Sequence, residues 1–345
     1  MHGDPSSARQ TRLLTRILAC LLFVSLALSA CAPAMHRESR LAMSTTLNVL
    51  VSGGRKPDWE QLFAFAERTS WEFDHRHPDS AIGRLNLEGR LSGPLPAGVL
   101  ETLRLARGIA EVSGGAFDPT VLALTSVWSF DTGGRLPSAA ELAAALPRVD
   151  YTRLSVGQDG TVSLAPGFGV DLGAIAKGAV VDLIAAELDR RGHHSYLVEA
   201  GGDILVSGLK KGGGPWSIGI RHPRNAEAMI GILKLGQGGP VSVVTSGDYE
   251  RTFDQDGRRY HHIIDPHTGY PAAGLASVTV VRESVAEADA WATALMVLGP
   301  EAGMALARRE RLAALFVRRG ERPGTFVAEA TPEFDRLRVP PGARL

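Results

Sequence analysis

Residues 244–271 read VTSGDYERTFDQDGRRYHHIIDPHTGYP, and this stretch is the most informative part of the chain. Asp256-Gly257 lies between Phe253 and Tyr260, which is the pattern of a β-hairpin with a two-residue turn. Short apolar runs flank the hairpin, and polar residues crowd their ends: Thr245, Ser246, Asp248, His262, Asp265 and Thr268. A segment that served only the hydrophobic core would have little use for all of them. The stretch therefore predicts a chemical site at the ends of strands.

A second stretch, residues 170–178, reads VDLGAIAKG and predicts an anion site. It looks like a strand end, a turn at Gly173 and the start of a helix, where free backbone N–H groups suit a phosphate. Lys177 would stand near the positive end of the helix dipole, and a bound phosphate would explain that placement. The alternative is a surface lysine beside an ordinary turn. The stretch is neither a dinucleotide fingerprint nor a P-loop, since Gly178 follows the lysine.

A third stretch, residues 287–293, reads EADAWAT and lies on a predicted helix. Asp289 and Thr293 are four residues apart, so they share a face with Cβ atoms roughly 5–6 Å apart. A carboxylate and a hydroxyl suit Mg²⁺, which usually takes few protein ligands and completes its shell with phosphates and water. On its own the pair is more often a solvated face or a local hydrogen bond. Together with the anion site it indicates a combined metal and phosphate site.

Two further features leave alternatives open. In residues 114–120, GGAFDPT, Phe117 and Asp118 either wall a flat ligand or belong to a helix cap and an Asp-Pro turn. His262 either moves a proton or hydrogen-bonds the turn that follows it. His75 and His77 would share a face on a strand, but they have no clear third ligand and are not interpreted as a metal site.

The N-terminus has the pattern of an export signal. Arg9, Arg12 and Arg16 precede an apolar run over 17–28, and Leu-Ser-Ala-Cys31 follows like a bacterial lipobox. We expect a signal peptide over 1–30, lipid on Cys31, a tether over 31–42 and the folded domain over 43–340. The protein would then be exported and anchored in a bacterial membrane on its periplasmic face; an ordinary signal peptide cut nearby is the alternative. The only other cysteine is Cys20, so the exported domain has no thiol for a disulfide.

Composition and periodicity favour one α/β-type domain of the α+β kind, either a single body or two lobes. The chain has 37 basic and 37 acidic residues and no basic stripe, which argues against a nucleic-acid partner. Helices are predicted over 59–70, 97–112, 138–146, 173–192, 285–298 and 301–309. Strands are predicted over 47–51, 170–172, 196–199, 204–207, 216–221, 230–235, 241–245, 277–281 and 312–317, with the hairpin at 253–260.

With these motifs in place, the chain resembles the ApbE family, the FAD:protein FMN transferases. The resemblance covers nearly the whole expected domain, and its motifs come in order. They are MST at 43–45, DSAIGRLN at 79–86, GAFDPT at 115–120, DLGAIAKG at 171–178, GGD at 201–203, TSGDYER at 245–251, HIIDPHTG at 262–269 and ADAWAT at 288–293. The resemblance implies a T-fold-like domain with mixed or antiparallel sheets flanked by helices.

The resemblance also implies a reaction. FAD binds as the substrate with Mg²⁺ on its pyrophosphate, a threonine hydroxyl of a target protein attacks the FMN phosphorus, and AMP leaves. A membrane electron-transport subunit is the kind of target expected. Phosphoryl transfer of this kind needs mainly positioning and charge neutralisation, which agrees with the motifs.

The resemblance assigns roles by position. Mg²⁺ would be held by the side chains of Asp289 and Thr293 and by the backbone carbonyls of Ala174 and Ala292. FAD would be lined by Met43, Ala116, Phe117, Asp118, Asp171, Lys177 and Ile264. The catalytic residues would be Asp289 and His262, the latter removing the proton from the target threonine. Ser44 and Arg76 depart from the Gly and Tyr usual in the family, which leaves a flavin contact of Arg76 open, and Ala174 replaces a frequent Gly.

Two rival functions use the same residues. An Mg²⁺-dependent FAD pyrophosphatase would pass the phosphoryl group to water, and the sequence does not separate it from the transferase. A non-enzymatic flavin-binding lipoprotein would have no need of Asp289, Thr293 and Lys177 together. A hydride-transferring dehydrogenase is disfavoured because the dinucleotide fingerprint is absent.

Overall fold

An eight-stranded antiparallel sheet forms the centre of the computed structural model, which describes residues 35–130, 133–210, 212–322 and 324–339. Every neighbouring pair of strands in this sheet is antiparallel. In spatial order the strands are β1 Met35–Ala42, β2 Thr45–Ser52, β6 Tyr196–Ala200, β7 Asp203–Ser207, β10 Val241–Gly247, β13 Leu275–Arg282, β14 Ala313–Arg319 and β15 Phe326–Ala330.

Helices cover one face of the sheet and a β-hairpin covers the other. The helices are α1 Trp59–Phe73, α2 Ala81–Glu88, α3 Val99–Val112, α4 Leu122–Thr125, α5 Ala139–Ala145, α6 Ala176–Arg190, α7 Val285–Arg309 and α8 Pro332–Asp335. The largest core lies between the sheet and helices α1, α3, α6 and α7. A second core lies under the hairpin of β8 Trp216–His222 and β9 Asn225–Leu235, and it includes the fully buried Phe334 of α8.

Smaller elements complete the fold. A three-stranded sheet has the order β3 Arg90–Leu91, β5 Val162–Leu164, β4 Leu154–Val156. The hairpin of β11 Thr252–Gln255 and β12 Arg258–His261 turns at Asp256 and Gly257, both with positive φ, as its sequence predicts. A third apolar cluster around Trp128 packs this hairpin against the loop that contains α4.

The fold class and most of the predicted elements are confirmed. The chain is a mixed α/β protein with an antiparallel sheet flanked by helices. Helix α7 is the most apolar long helix of the described ranges, long enough to cross a membrane, but 61% of its apolar window is buried inside the protein. Gly299, with φ +78°, and Pro300 divide it at the boundary that the sequence predicts.

Two predictions are wrong. The tether expected over 31–42 is too long, because Met35–Ala42 is a strand that pairs along its whole length with β2. The strand expected over 170–172 is absent: Val170 instead exchanges two hydrogen bonds with the Asn86 side chain, 2.7 and 2.9 Å long. Both side-chain bonds satisfy backbone groups that a sheet would otherwise pair. The predicted signal peptide and Cys31 lie outside the described residues.

Candidate active site

One end of the large sheet gathers the polar motifs. The β1–β2 turn at Met43 and Ser44 lies there, and so does the β6–β7 turn at Gly201 and Gly202. The two turns touch, since a Cβ on Gly201 would lie 2.9 Å from the Thr45 hydroxyl oxygen. Because antiparallel strands alternate in direction, these turns and the C-terminal end of β10 lie at the same end of the sheet. The N-terminus of helix α6 lies at this end of the sheet as well.

Lys177 is the centre of the site. Its ammonium donates to Asp203 Oδ2 at 2.7 Å and to Asp289 Oδ2 at 3.2 Å. The side chains of Asp203 and Asp289 are only 5% and 6% exposed, whereas that of Lys177 is 32% exposed. One cation is therefore shared by two buried acids while part of it still faces solvent. A cation so placed can meet an anionic ligand, as the sequence predicts for this residue.

Burial and charge act in opposite directions on these groups. Burial raises the pKa of Asp289 to about 7, against the opposing pull of the Lys177 ammonium. Burial alone would lower the pKa of Lys177, but the charges of Asp203 and Asp289 outweigh it and raise that pKa. Asp289 thus lacks the full charge compensation that a buried carboxylate needs, and a further cation beside it would supply that compensation.

Two of the remaining metal candidates, Ala292 and Thr293, lie on α7 within four residues of Asp289. Thr293 lies one turn further along α7, and its hydroxyl is 3.4 Å from that of Ser246 at the end of β10. Ala292 is fully buried beside it, and Ala174 lies in the turn before α6. Nowhere in the described ranges do three or more His, Cys, Asp or Glu side chains form a metal cage. This donor set fits a Mg²⁺ ion that takes one carboxylate, neutral oxygens and the phosphates of a substrate.

A close contact between two helices fixes Lys177 against Asp289. A Cβ on Gly178 would lie 2.6 Å from the backbone of Val285 and Ala286, so only glycine permits this approach of α6 to α7. Asp182, one turn further on α6, accepts hydrogen bonds from Ser284 Oγ and from the N–H groups of Val285 and Ala286 at 2.7–3.0 Å. The carboxylate caps α7, and its negative charge interacts favourably with the positive N-terminal end of the helix dipole.

The acids Asp118 and Asp171 hold loops in place. Asp118 is buried, and it accepts hydrogen bonds from Thr120 and from the Tyr151 N–H at 2.6–2.9 Å. Asp171 accepts from the Thr125 hydroxyl at 2.7 Å and from the Gly173 N–H at 2.8 Å. Their ordered loops can shape a ligand site, although Asp118 already accepts three hydrogen bonds and Asp171 two.

The turn at 265–270 joins two of the predicted ligand loops. His267 Nε2 lies 3.1 Å from the Gly114 carbonyl oxygen, which connects this turn to the loop with the buried Ala116 and Phe117. The Trp128 indole N–H donates to the Gly269 carbonyl at 2.9 Å. Ile264, buried in the Trp128 cluster, forms a bridge with Pro271. The structure therefore brings the 114–120 and 262–269 motifs together.

His262 stands in an enclosed environment. Its backbone N–H donates to the Arg251 carbonyl at 3.1 Å, and its Nδ1 is buried without a hydrogen-bond partner among the described residues. Burial, with smaller contributions from His261 and Arg251, lowers the pKa of His262 to about 3. The imidazole is therefore neutral at physiological pH and can accept a proton. The backbone bond of His262 is to Arg251 and not to the turn that follows, so the structure gives no support to the alternative that His262 holds that turn.

Two of the three departures from the family pattern, Arg76 and Ser44, are surface features. Arg76 Nε and NH2 donate to the carboxylate of Asp74 at 2.8 and 2.6 Å, and its side chain is 69% exposed. Ser44 adopts φ +59° and Met43 φ +53°, a conformation that strains residues other than glycine. Met43 packs on the main core at the same end of the sheet as Lys177.

Asp203 is a site residue whose role the sequence does not predict. It ends the GGD motif at 201–203, whose composition does not separate a site carboxylate from an ordinary hairpin acid. Only the pairing of β6 with β7 places it 2.7 Å from the Lys177 ammonium. The sequence carries one signal, an acid directly after two glycines, and that signal does not by itself indicate a site.

The fold and the site together define a class of protein. Its members have a large antiparallel sheet, and at one end of that sheet two buried acids share a lysine. The family model of the ApbE family matches residues 43–316. The FAD:protein FMN transferase of Treponema pallidum (strain Nichols) is 37% identical over 300 residues, 81% of each chain. That of Vibrio cholerae serotype O1 is 36% identical over 246 residues, 69% of this chain and 72% of that one.

Solved structures agree with this assignment. The flavinyl transferase ApbE of Pseudomonas stutzeri in its apo form has a TM-score of 0.76 at 36% identity, and covers 88% of this chain and 97% of that one. The ApbE protein of Thermotoga maritima has a TM-score of 0.78 at 30% identity, and covers 89% and 100%. The chain belongs to the ApbE family.

Proposed function

We propose that this protein transfers the FMN moiety of FAD to a threonine hydroxyl of a target protein and releases AMP. The hydroxyl oxygen forms a bond to the FMN phosphorus, and the bond from that phosphorus to the bridging oxygen of AMP breaks. The hydroxyl proton passes to the protein, and AMP leaves with the bridging oxygen. Family membership and the enzyme names of its relatives support the transfer of FMN to a protein.

The observation that carries the proposal is the shared cation. Lys177 lies between Asp203 and Asp289 at the start of α6, where helix N–H groups and an ammonium suit a pyrophosphate. Mg²⁺ at Asp289 and Thr293, with the carbonyls of Ala174 and Ala292, would neutralise the charge that develops on the phosphates. Asp289 is the only charged side chain in this proposed ligand set.

His262 is proposed to take the proton of the attacking threonine. Its lowered pKa keeps it neutral across the physiological range, so the base is always in its accepting form. A base with so low a pKa is weak, and its contribution depends on its position near the hydroxyl. We expect His262→Ala to slow transfer by roughly 10²–10⁴-fold while changing FAD binding much less.

The function is tested by intact mass. The purified protein is incubated with FAD, Mg²⁺ and a membrane electron-transport subunit that has an exposed threonine, and the subunit should gain one FMN. A Thr→Ala variant of that subunit should gain none. Asp289→Ala, or EDTA, should abolish the gain while circular dichroism remains native.

AMP release does not discriminate between the candidate functions, because hydrolysis also releases it. If FAD is cleaved to free FMN and AMP at the same rate with and without the target, and no target gains mass, the protein is a pyrophosphatase. Binding of FAD without any cleavage would favour the non-enzymatic flavin-binding function.

The location is part of the proposal. Cys31 is proposed to be acylated, so that the mature protein remains attached to a bacterial membrane on its periplasmic face. The motivation is the lipobox-like sequence before Cys31. An N-terminal peptide mass that lacks lipid, from protein purified out of an exporting host, would refute this part alone.

A further inference from the structure

The end of the sheet opposite the site has its own composition. Met35 pairs with Ser52, whose N–H donates to the Ser195 carbonyl at 2.8 Å. The Ser195 hydroxyl in turn donates to the Leu209 carbonyl. These contacts form a row across this end of the sheet, from Met35 through Ser52 and Ser195 to Leu209. The same strands have the site turns at their other ends.

This row exposes apolar side chains. Met35 is 39% exposed and Leu209 is 41% exposed, although both are large hydrophobic residues. Leu209 precedes a tight turn in which the Lys210 N–H donates to the Gly214 carbonyl at 2.9 Å. The turn holds Leu209 and Lys210 at the surface beside the sheet.

Unpaired basic residues surround the row. Arg55, Lys56 and Lys210 are exposed, and no carboxylate of the described residues forms an ion pair with them. The acids near Arg55 and Lys56 have other partners: Glu38 and Glu60 pair with Arg40, and Asp58 accepts the Gln61 N–H at the start of α1. Near His193, Glu187 pairs with Arg190 and Arg191, and Asp189 pairs with His194 and Tyr196.

Three histidines complete the cluster. Burial lowers the pKa of His193, and the next contributions come from Arg55, Arg191, His36 and His194, so these groups share one neighbourhood. We name Met35, Arg55, Lys56, Leu209 and Lys210 the basal surface. It combines positive charge with apolar side chains, the composition that binds an anionic membrane surface.

The length of the connection determines which end can reach a membrane. Because β1 begins at Met35, only four residues, 31–34, precede it from Cys31 onward. They span at most about 14 Å when fully extended. A tether that reached to residue 42 would span up to roughly 40 Å, and the domain could then take any orientation relative to the membrane.

We propose that the basal surface rests on the anionic leaflet that holds the Cys31 lipid, so that the active site faces away from the bilayer. This inference depends on the acylation of Cys31 and not on the reaction catalysed. β1 has eight residues, so its far end, next to Met43, stands about 26 Å from its start. The site is therefore presented to acceptor threonines well above the headgroups.

The sequence makes a direct test available. Beyond Cys31 the chain has no cysteine, so one introduced cysteine gives one labelled position. Leu209→Cys places a fluorophore on the basal surface. Leu41→Cys is the matched control, because Leu41 is 83% exposed and lies at the site end of β1. The full acylated protein is reconstituted in vesicles of phosphatidylglycerol and phosphatidylethanolamine with brominated chains.

We expect bromine quenching at position 209 and none at position 41. The triple variant Arg55→Glu, Lys56→Glu, Lys210→Glu should lose the quenching at 209 in these vesicles, and high salt should have the same effect. Its FMN transfer to a soluble target should be unchanged, because these residues lie far from Lys177.

Several results would overturn the inference. Among them are equal quenching at the two positions, quenching only at 41, and quenching at 209 that is identical in phosphatidylcholine vesicles. A basal surface that contacts a protein partner instead would give no quenching at either position. If mass spectrometry finds Cys31 without lipid, the same labelled protein is mixed with the anionic vesicles at low salt. Absence of binding there also refutes the basal surface.

Discussion

Asp203 holds the Lys177 ammonium at 2.7 Å and so limits how closely that ammonium pairs with Asp289, 3.2 Å away. In Asp203→Asn the ammonium has one carboxylate partner left, and the Mg²⁺ ion that we propose at Asp289 would have to compete with an undivided ion pair. We expect the Mg²⁺ concentration for half-maximal transfer to rise about tenfold, which corresponds to about 1.4 kcal/mol. Titration of transfer activity with Mg²⁺ measures this, and Mn²⁺ binding followed by electron paramagnetic resonance checks it without turnover.

Lys177→Met provides the control for this prediction. In a protein that already lacks the ammonium, Asp203→Asn should change the metal requirement much less than it does in the unmodified protein. An equal change in both backgrounds would mean that Asp203 acts on the metal directly and not by positioning Lys177.

His262 gives a prediction about pH. Its folded pKa of about 3 lies below its ordinary value of 6.5, so between these values the unfolded chain binds more protons. The free energy of unfolding should therefore decrease as pH falls from about 6.5 towards 3. His262→Gln should flatten this part of the curve, measured by urea unfolding at several pH values. Any inflection of the transfer rate near pH 7 should come from Asp289 and should persist in His262→Gln; an inflection near pH 6.5 that His262→Gln removes would contradict the buried neutral imidazole.

At this scale the sequence predicts residue types better than their partners. Asp289, Thr293 and Lys177 converge as their motifs predict. The sequence does not reveal that Asp118 and Asp171 use their oxygens on loop N–H and hydroxyl groups, since those bonds depend on chain paths set by the whole fold. Asp203 was missed for the same reason.

The β8–β9 hairpin supports the site loop through an ion pair. Arg224, in the turn of the hairpin, donates to both oxygens of the buried Asp248 at 2.7 and 2.6 Å. Arg224→Gln leaves Asp248 with Arg319, 3.4 Å away, as its nearest arginine. Breaking a buried pair typically costs about 3–5 kcal/mol. Urea unfolding should show a loss of that order, together with slower transfer, because Asp248 belongs to the loop that reaches Arg251 and His262.

Arg221 in the same hairpin is the matched control. It pairs with Glu250, but both side chains are nearly half exposed. Arg221→Gln should cost only about 0–1 kcal/mol. Similar losses in the two variants would show that the burial of Asp248 does not determine the effect.

The elements that were predicted and those that were missed differ in burial. Strands with buried, β-branched residues, such as β2 and β13, were found because one or both of their faces are apolar. The edge strand β1 reads MHRESRLA and has no apolar alternation, since none of its residues is buried. Strand β15 at the other edge is similarly exposed. Their pairing follows from the neighbouring strand and not from their own sequence.

At the scale of the whole molecule, the junction of α6 and α7 couples the site to the main core. Asp182→Ala removes a cap that serves Ser284, Val285 and Ala286, and should lower stability by about 1–2 kcal/mol. It should also weaken the Mg²⁺ response, since Asp289 is in the next turn of α7. The thermal midpoint by circular dichroism and the midpoint for irreversible loss of transfer should fall together.

Ser138→Ala is the comparison for this variant. Ser138 caps the short helix α5 with a reciprocal capping box that is remote from Lys177. Ser138→Ala should lower the free energy of unfolding by a similar amount, while the response of the transfer activity to Mg²⁺ stays normal. If Asp182→Ala also keeps a normal Mg²⁺ response, the contact between α6 and α7 does not influence the position of Asp289.

The charges on Lys177, Asp203 and Asp289 also set an order of events during biogenesis. Lys177 and Asp289 are 112 residues apart in sequence, and Lys177 and Asp203 are 26 apart. A chain emerging from its N-terminus acquires the lysine and the first acid long before the helix that presents the second. Contacts of such long separation close late in folding. We therefore expect the nucleotide substrate to bind the complete domain and not a growing chain that still lacks α7.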